Sequence, residues 1–426
     1  MSYKKLGDYI QQVNNRNRDL QVDTLLGVSI TKKLIPSIAN TVGTDMSTYK
    51  IIEKGQFAYG TITSRNGDKI SIALADEYDK ALVSQIYIVF EVIDKNELLP
   101  EYLMMWFSRP EFDRYARYHS HGSTRESFDW EDLCNVELPI PSIEKQREIV
   151  AQYQAVENKI KVNEQICEKL EATAQTLYKQ WFVNFEFPVA DTEVLEVSGV
   201  VSSASTTIRG YKSSGGAMVF NEELEKEIPE GWEVKEINRL CSIGSSKRIY
   251  ESEYVKDGIP FYRGKEITIK KEGKNITDPY FISKDRYNEL VKKYGKPSNG
   301  DILMTAVGTI GSTYMVENES FYFKDGNVIW FKDFTFEGVN YYLYDFMQSK
   351  LFDDLITEIT IGSTQSAITI TTFGGQKILI PNEEILINYS FISKNMNELI
   401  KKYKKQNQKL SQLQSLLLSR LVRLAG

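Results

Sequence analysis

Apolar side chains recur at alternating steps of three and four residues along two long stretches of this chain. The first runs through Ile149, Tyr153, Val156, Ile160, Asn163, Cys167, Leu170, Ala174, Leu177 and Trp181. The second runs through Tyr389, Ser393, Met396, Ile400, Tyr403, Asn407, Leu410, Gln414, Leu417, Leu421 and Leu424. A mean spacing of about 3.5 residues is that of a coiled-coil seam, and Glu, Gln, Lys and Asn fill the positions between. Neither run holds a Gly or a Pro. At a rise of about 1.5 Å per residue, roughly 40 residues make each helix about 60 Å long, well beyond an ordinary globular helix. The pattern predicts two long spacer helices, residues 143–187 and 383–426.

Upstream of each helix the period changes. Lys69–Ala73 (KISIA) and Ser84–Phe90 (SQIYIVF) read as strands, followed by a helical run at Pro100–Phe107. Asp301–Met304 (DILM), Thr313–Val316 and Asn327–Phe331 (NVIWF) read likewise, followed by a helical run at Asn340–Leu351. Val-, Ile- and aromatic-rich runs between turn residues predict α+β blocks, residues 1–142 and 222–382. The blocks are copies of one another. GSTRESFDWEDLCNVELPIP spans Gly122 to Pro141 and GSTQSAITITTFGGQKILIP spans Gly362 to Pro381, so both ends share one offset of 240 positions. Two gapless matches at one offset mark a duplicated domain. Residues 188–221, with VSGVVSSASTT and YKSSGG, are rich in small residues, lack periodicity and read as a linker.

Composition adds constraints. Three cysteines, Cys134, Cys167 and Cys241, are too few and too scattered for a disulfide framework or a zinc ribbon. No apolar region follows Met-Ser-Tyr-Lys-Lys, so no signal peptide is expected, and no run approaches the roughly 18 apolar residues of a membrane span. A cytoplasmic protein is expected. The formal charge of -6 argues against a uniformly basic DNA-binding surface, but binding depends on where the cations sit.

A family resemblance rests on particular strings. The GST motif with its Ile-Pro run, the helix start IEKQREIV, and KQWFVNFEFP, YKSSGG and IPEGW look like type I restriction–modification specificity subunits. Leu138–Pro188 and Tyr211–Trp232 carry the resemblance most fully; Gly300–Val307 (GDILMTAV), Gly308–Gly311 (GTIG) and Gly362–Gln365 (GSTQ) extend it. Gly55–Ile62 (GQFAYGTI) and Ser64–Asn66 (SRN) match more loosely. The resemblance implies an α+β fold: two α/β target-recognition domains related by a pseudo-twofold axis and separated by two antiparallel helices. It implies double-stranded DNA, two adenine-N6 methyltransferase (modification) subunits and motor–nuclease (restriction) subunits as partners. It also implies that S-adenosylmethionine, ATP and magnesium bind those partners, with no cofactor on this chain. The departure is NEEILINYS after Pro381, where the first copy has SIEKQREIV.

Motifs for chemistry are wanting. Asp278-Pro279-Tyr280 is one proline short of the loop with which adenine methyltransferases grip a flipped base. Gly258–Lys265 (GIPFYRGK) is one residue too long for a phosphate-binding P-loop. His119 and His121 have no cysteine or carboxylate set nearby to complete a metal site. A self-contained methyltransferase or nuclease, and a purely structural coiled-coil scaffold, are the rival readings.

The candidates for DNA contact are cationic. Between Lys247 and Lys296 thirteen cations face eight acids, with six tyrosines interleaved. Such a run is either a solvated face or a surface that tracks phosphates. Lys247, Arg248, Arg263, Lys265, Lys270, Lys271 and Lys274 are its candidates, and Lys32, Lys33, Arg65, Asn66, Arg114, Arg117 and Arg125 play the same part in the first block. Arg grips guanine and Asn adenine bidentately in the major groove. Gly122, Ser123 and Thr124, and Gly362, Ser363, Thr364 and Gln365, either form tight turns or bind phosphate. Antiparallel packing of the long helices sets Asn163 against Asn407 and Cys167 against Tyr403. A buried Asn pair fixes register at a cost in stability.

Overall fold

The computed structural model describes residues 3–38, 43–64, 67, 69–122, 125–190, 208–360 and 367–422. The chain divides into two compact units, residues 1–161 with 409–426, and residues 162–408. Each unit therefore takes one portion of each long helix.

The first unit opens with β1 (Tyr3–Lys5), β2 (Ile10–Val13), β3 (Leu25–Val28), β4 (Leu34–Pro36) and β5 (Lys50–Glu53). Then come β6 (Phe57–Gly60), β7 (Ser71–Leu74), β8 (Lys80–Val83) and β9 (Ile88–Val92). Helices α1 (Pro100–Phe107), α2 (Pro110–Tyr118) and α3 (Trp130–Cys134) precede β10 (Glu137–Pro139) and the long α4 (Ile143–Tyr178). Two four-stranded sheets result, in the orders β2-β9-β6-β7 and β4-β3-β8-β5, and β1 pairs with β10. The strands differ slightly from the sequence runs. Ile70 donates its amide to Asp113 Oδ1 at 3.1 Å, and β7 starts at Ser71, two residues later than the run. A turn closed by Tyr87 N–H to Ser84 O at 3.1 Å delays β9. Pro100 and Pro110 each occupy the first turn of a helix, where the missing amide costs nothing. Between sheet and helices Phe57 stacks on Phe90 with ring centres 4.7 Å apart, and Phe107 meets both edge-on. Val150 of α4 joins this core with Leu418 and Leu421.

Beyond α4, the second unit continues into the stretch read as a linker. β11 (Pro188–Ala190) pairs with β12 (Ile208–Gly210), and β13 (Met218–Asn221) pairs with β14 (Lys226–Pro229). Aromatic packing holds this chain down: Phe187 stacks on Tyr211 at 4.5 Å and on Trp232 at 5.4 Å. Both ends of the stretch are thus built into strands, while residues 191–207 lie outside those described. Next come β15 (Glu233–Glu236), β16 (Ser242–Gly244), β17 (Tyr254–Val255) and β18 (Ile259–Tyr262). Helix α5 (Gly264–Lys271), β19 (Tyr280–Ile282) and α6 (Lys284–Tyr294) form an insertion. β20 (Ile302–Thr305), β21 (Thr313–Met315), β22 (Tyr322–Phe323) and β23 (Val328–Lys332) complete the sheets. The helical run at 340–351 is two helices, α7 (Val339–Phe346) and α8 (Lys350–Ile359), because Ser349 caps the second by accepting from the Phe352 amide. Finally α9 (Ile370–Gly374) and β24 (Lys377–Ile380) lead into α10 (Glu383–Arg420).

The duplication is visible in the strand pairing. The order β16-β23-β20-β21 repeats β2-β9-β6-β7, and β15–β24 repeats β1–β10. α8, α9 and α10 each begin 240 positions after α2, α3 and α4. The second sheets share one parallel pair, β3 with β8 and β18 with β22, but differ in their outer strands.

The long helices bury their seams. In the second unit Asn163 is fully buried and donates Nδ2 to Asn407 Oδ1 at 2.7 Å and to Gln406 Oε1 at 3.0 Å. Cys167 Sγ lies 3.8 Å from the Ile400 carbonyl, one helical turn from the expected Tyr403. Tyr178, more than Leu177, is buried beside Trp181 and Phe182, just before a π-helical turn at Lys179–Val183.

The helix starts are anchored differently, which accounts for the departure after Pro381. In the first unit Gln146 is fully buried: its Nε2 donates to Glu97 O and Pro141 O, and its Oε1 accepts from Leu99 N. The equivalent position holds Leu386, buried in the apolar core. There the polar anchor is Asp345 of α7, whose Oδ2 accepts from Tyr389 OH at 2.7 Å and Ser393 Oγ at 2.6 Å. Burial pushes the Asp345 carboxyl up to about 6 against the pull of those two hydroxyls.

Candidate nucleic-acid interface

The hairpin β3–β4 of the first unit turns through Lys32, whose φ of 63° places its backbone in the left-handed region. This geometry swings the side chain inward. Lys32 Nζ pairs with Asp113 Oδ1 at 2.7 Å and donates to Phe107 O, with 6% of the side chain exposed. Burial lowers its pKa, and the Asp113 carboxylate opposes that. A lysine held so cannot reach a phosphate, which corrects the expectation for Lys32; it pins the hairpin to α2 instead. Lys33, next in the turn, is exposed, 3.4 Å from Glu157 of α4.

Helix α2 presents Arg114, 3.5 Å from Glu111, and Arg117, 3.0 Å from Glu126. Both are surface pairs of the kind that exchange readily with solvent or another anion. Past α2 the chain folds back through a bridge between His121 and Ser127. Gly122 has φ 124°, and a Cβ there would lie 2.4 Å from the Arg125 carbonyl oxygen, so this turn demands glycine. Arg125 is exposed. Arg65, Asn66, Ser123 and Thr124 lie outside the described residues, as do Gly362, Ser363, Thr364 and Gln365. His121 is exposed, 3.9 Å from Asp132, and His119 packs on Tyr115 at 4.3 Å.

In the second unit the basic run is divided by its surroundings. Arg263 grips the buried Glu266 through Nε at 3.0 Å and Nη2 at 2.9 Å, and its guanidinium covers Tyr280 at 4.2 Å. The hydrogen bond to Glu266 raises the Arg263 pKa. On Glu266 burial works upward, yet Arg263 and its amide bring the carboxyl below its ordinary value. Lys270 is partnered by Glu319 at 2.8 Å. Burial lowers the pKa of Lys271, whose carbonyl accepts from Lys404 Nζ at 3.3 Å. Gln408 Nε2 donates to Gly273 O at 2.7 Å. The segment 271–273 is therefore docked on α10, and Lys274 beside it pairs with Glu272 at 2.7 Å. Lys270 and Lys271 are half-buried, Lys270 with its ammonium on Glu319 and Lys271 with its carbonyl on Lys404. Lys247 and Lys265 are exposed, as is Arg248, whose Nε lies 3.3 Å from Asp325 Oδ2 in a surface pair like those of Arg114 and Arg117.

The candidates omitted Arg16, Arg18, Lys293 and Tyr294. Arg16 and Arg18 follow the first strand of the repeated sheet, the place that Lys247 and Arg248 hold in the second copy. That correspondence needs the strand pairing, which the sequence repeat around Gly122 and Gly362 does not reach.

Comparison with known proteins assigns the family. The family model for the type I restriction modification DNA specificity domain matches twice, at residues 29–172 and 229–415. The chain is 28% identical over 338 residues to the type I restriction enzyme MjaIX specificity subunit of Methanocaldococcus jannaschii, covering 78% of this chain and 70% of that protein. It is 24% identical over 413 residues to the HindI specificity subunit of Haemophilus influenzae, covering 88% and 87%. The crystal structure of a type I restriction–modification S subunit from M. genitalium shares its fold, with a TM-score of 0.58, 13% identity, and coverage of 99% of this chain and 96% of that one. With the two matches falling on the two units of the repeat, the chain belongs to the type I restriction–modification specificity subunits and carries their DNA specificity domain twice.

Proposed function

We propose that this chain is the non-catalytic, DNA-reading member of a type I restriction–modification enzyme, and that each unit reads one half of a bipartite, gapped target. The observation that carries the reading is a repeated frame with unlike additions. The sheet order and the short flanking pair recur, while the second sheets differ and, among the described residues, α5 and α6 occur in one unit alone. A common frame gives both units the same way of approaching a duplex, and differing loops give each its own base contacts. Two adenine-N6 methyltransferase subunits would supply modification and motor–nuclease subunits cleavage, with S-adenosylmethionine, ATP and magnesium bound on those chains. The site of action would be cytoplasmic DNA, and no helix among the described residues is long and apolar enough to cross a membrane.

The test is reconstitution. The purified chain with S-adenosylmethionine and DNA should yield no methyladenine, and addition of the modification subunits should yield methyladenine at one gapped sequence. Methylation by the chain alone would overturn the non-catalytic reading.

A further inference from the structure

We propose that the turn after the first strand of the repeated sheet contacts the phosphate backbone in both units: Arg16 and Arg18 after β2, and Lys247 and Arg248 after β16. Lys293 and Tyr294 at the end of α6 extend the contact in the second unit. The proposal rests on the reading of the chain as a DNA-specificity subunit and names where that chain would hold the duplex without reading sequence.

Three observations converge. The first is sign. Arg114, Arg117 and Tyr118 of α2 are replaced at the 240 offset by Asp354, Thr357 and Glu358 of α8, and Asp354 and Glu358 are exposed. A polyanion against α8 would meet carboxylates, so α2 and α8 cannot be a phosphate surface common to both copies. The turn after β2 and β16 is cationic in both. The second is rigidity. Ser245 Oγ donates to Val328 O at 2.9 Å and Ser246 Oγ donates to Phe323 O at 2.5 Å. In the first unit buried Asn17 donates to Val22 O at 2.8 Å and accepts from Val22 N at 3.2 Å, and Arg16 Nη1 donates to Thr48 O at 2.8 Å. A backbone held in advance loses little entropy when its cations bind an anion.

The third is the gathering of like charge. Lys247 Nζ and Lys293 Nζ lie 4.9 and 5.3 Å from the ring centre of Tyr294, which is itself exposed. The C-terminal end of a helix attracts cations, which accounts for Lys293 on α6 but not for Lys247, brought there by a turn from another part of the chain. Two ammonium groups sharing one ring form a site whose natural complement is a phosphodiester.

The complex with its modification subunits tests this, using a duplex that carries the mapped target and one of unrelated sequence. Lys247→Ala with Lys293→Ala should weaken both duplexes by the same factor and lower the log–log salt slope by about one per contact. The salt-induced loss between roughly 50 and 200 mM would then shrink by about three-fold per contact. Arg18→Ala should act the same way in the first unit. Lys350→Ala, on the acidic face of α8, should change neither. Melting temperatures should match the parent's. Unchanged affinity and slope would overturn the proposal, and so would a loss confined to the target duplex with a changed methylated sequence. Failure of the parent complex to prefer its target would instead overturn the function proposed above.

Discussion

Asp345 stands where the first copy of the repeat has Met105, and Tyr389 and Ser393 stand where it has Ile149 and Tyr153. An apolar contact in one unit is a buried carboxylate with two hydroxyls in the other. A carboxyl raised from 3.8 to about 6 by burial binds its proton more tightly in the folded chain than in the unfolded one. Stability from this group is therefore present at low pH, falls as pH rises from about 4 to about 6, and stays flat above. The span is worth about 3 kcal/mol at most. Asp345→Asn keeps an oxygen for both hydroxyls and removes the titration. Thermal melting followed across pH 4–7 should show a fall for the parent that is absent in the variant; parallel curves would mean that Asp345 does not titrate in this window. Lys32 gives the opposite lesson. Nothing in its sequence neighbourhood marks it as buried, because Asp113 lies far along the chain and only the fold brings them together.

At the scale of elements the long helices were the most legible part of the chain, because a seam is a local pattern that needs no knowledge of distant contacts. It slipped at Leu177, where the neighbouring Tyr178 is the buried residue, just ahead of the π-helical turn that follows α4. The sheets were legible as runs but not as an order, since β2-β9-β6-β7 is set by pairings between distant strands. The partners within the basic run were illegible for a related reason. Counting charge along a sequence cannot show that Glu319 lies opposite Lys270, or that α10 covers Lys271. Within the seam, Asn163 Oδ1 is buried with no hydrogen-bond partner among the described residues, although its amide nitrogen has two. Replacing both seam residues, Asn163→Leu with Asn407→Leu, should stabilise the helix pair by about 1–3 kcal/mol while relaxing its register. Chemical denaturation measures this, and a lower midpoint in the double variant would show that the Asn pair is a net stabiliser.

On the scale of the whole molecule the chain is one frame used twice. The frame carries the matches to the specificity family, and what differs between copies is the second sheet with the inserted α5 and α6. If the frame docks and the additions read, the two units should be separable in specificity. Replacing residues 222–382 by the corresponding segment of another family member, and leaving both long helices intact, isolates one reader. Methyladenine positions are then mapped in DNA modified by the parent complex and by the chimera. One half of the gapped target should change and the other half be retained; a target altered in both halves, or in neither, would contradict separate readers.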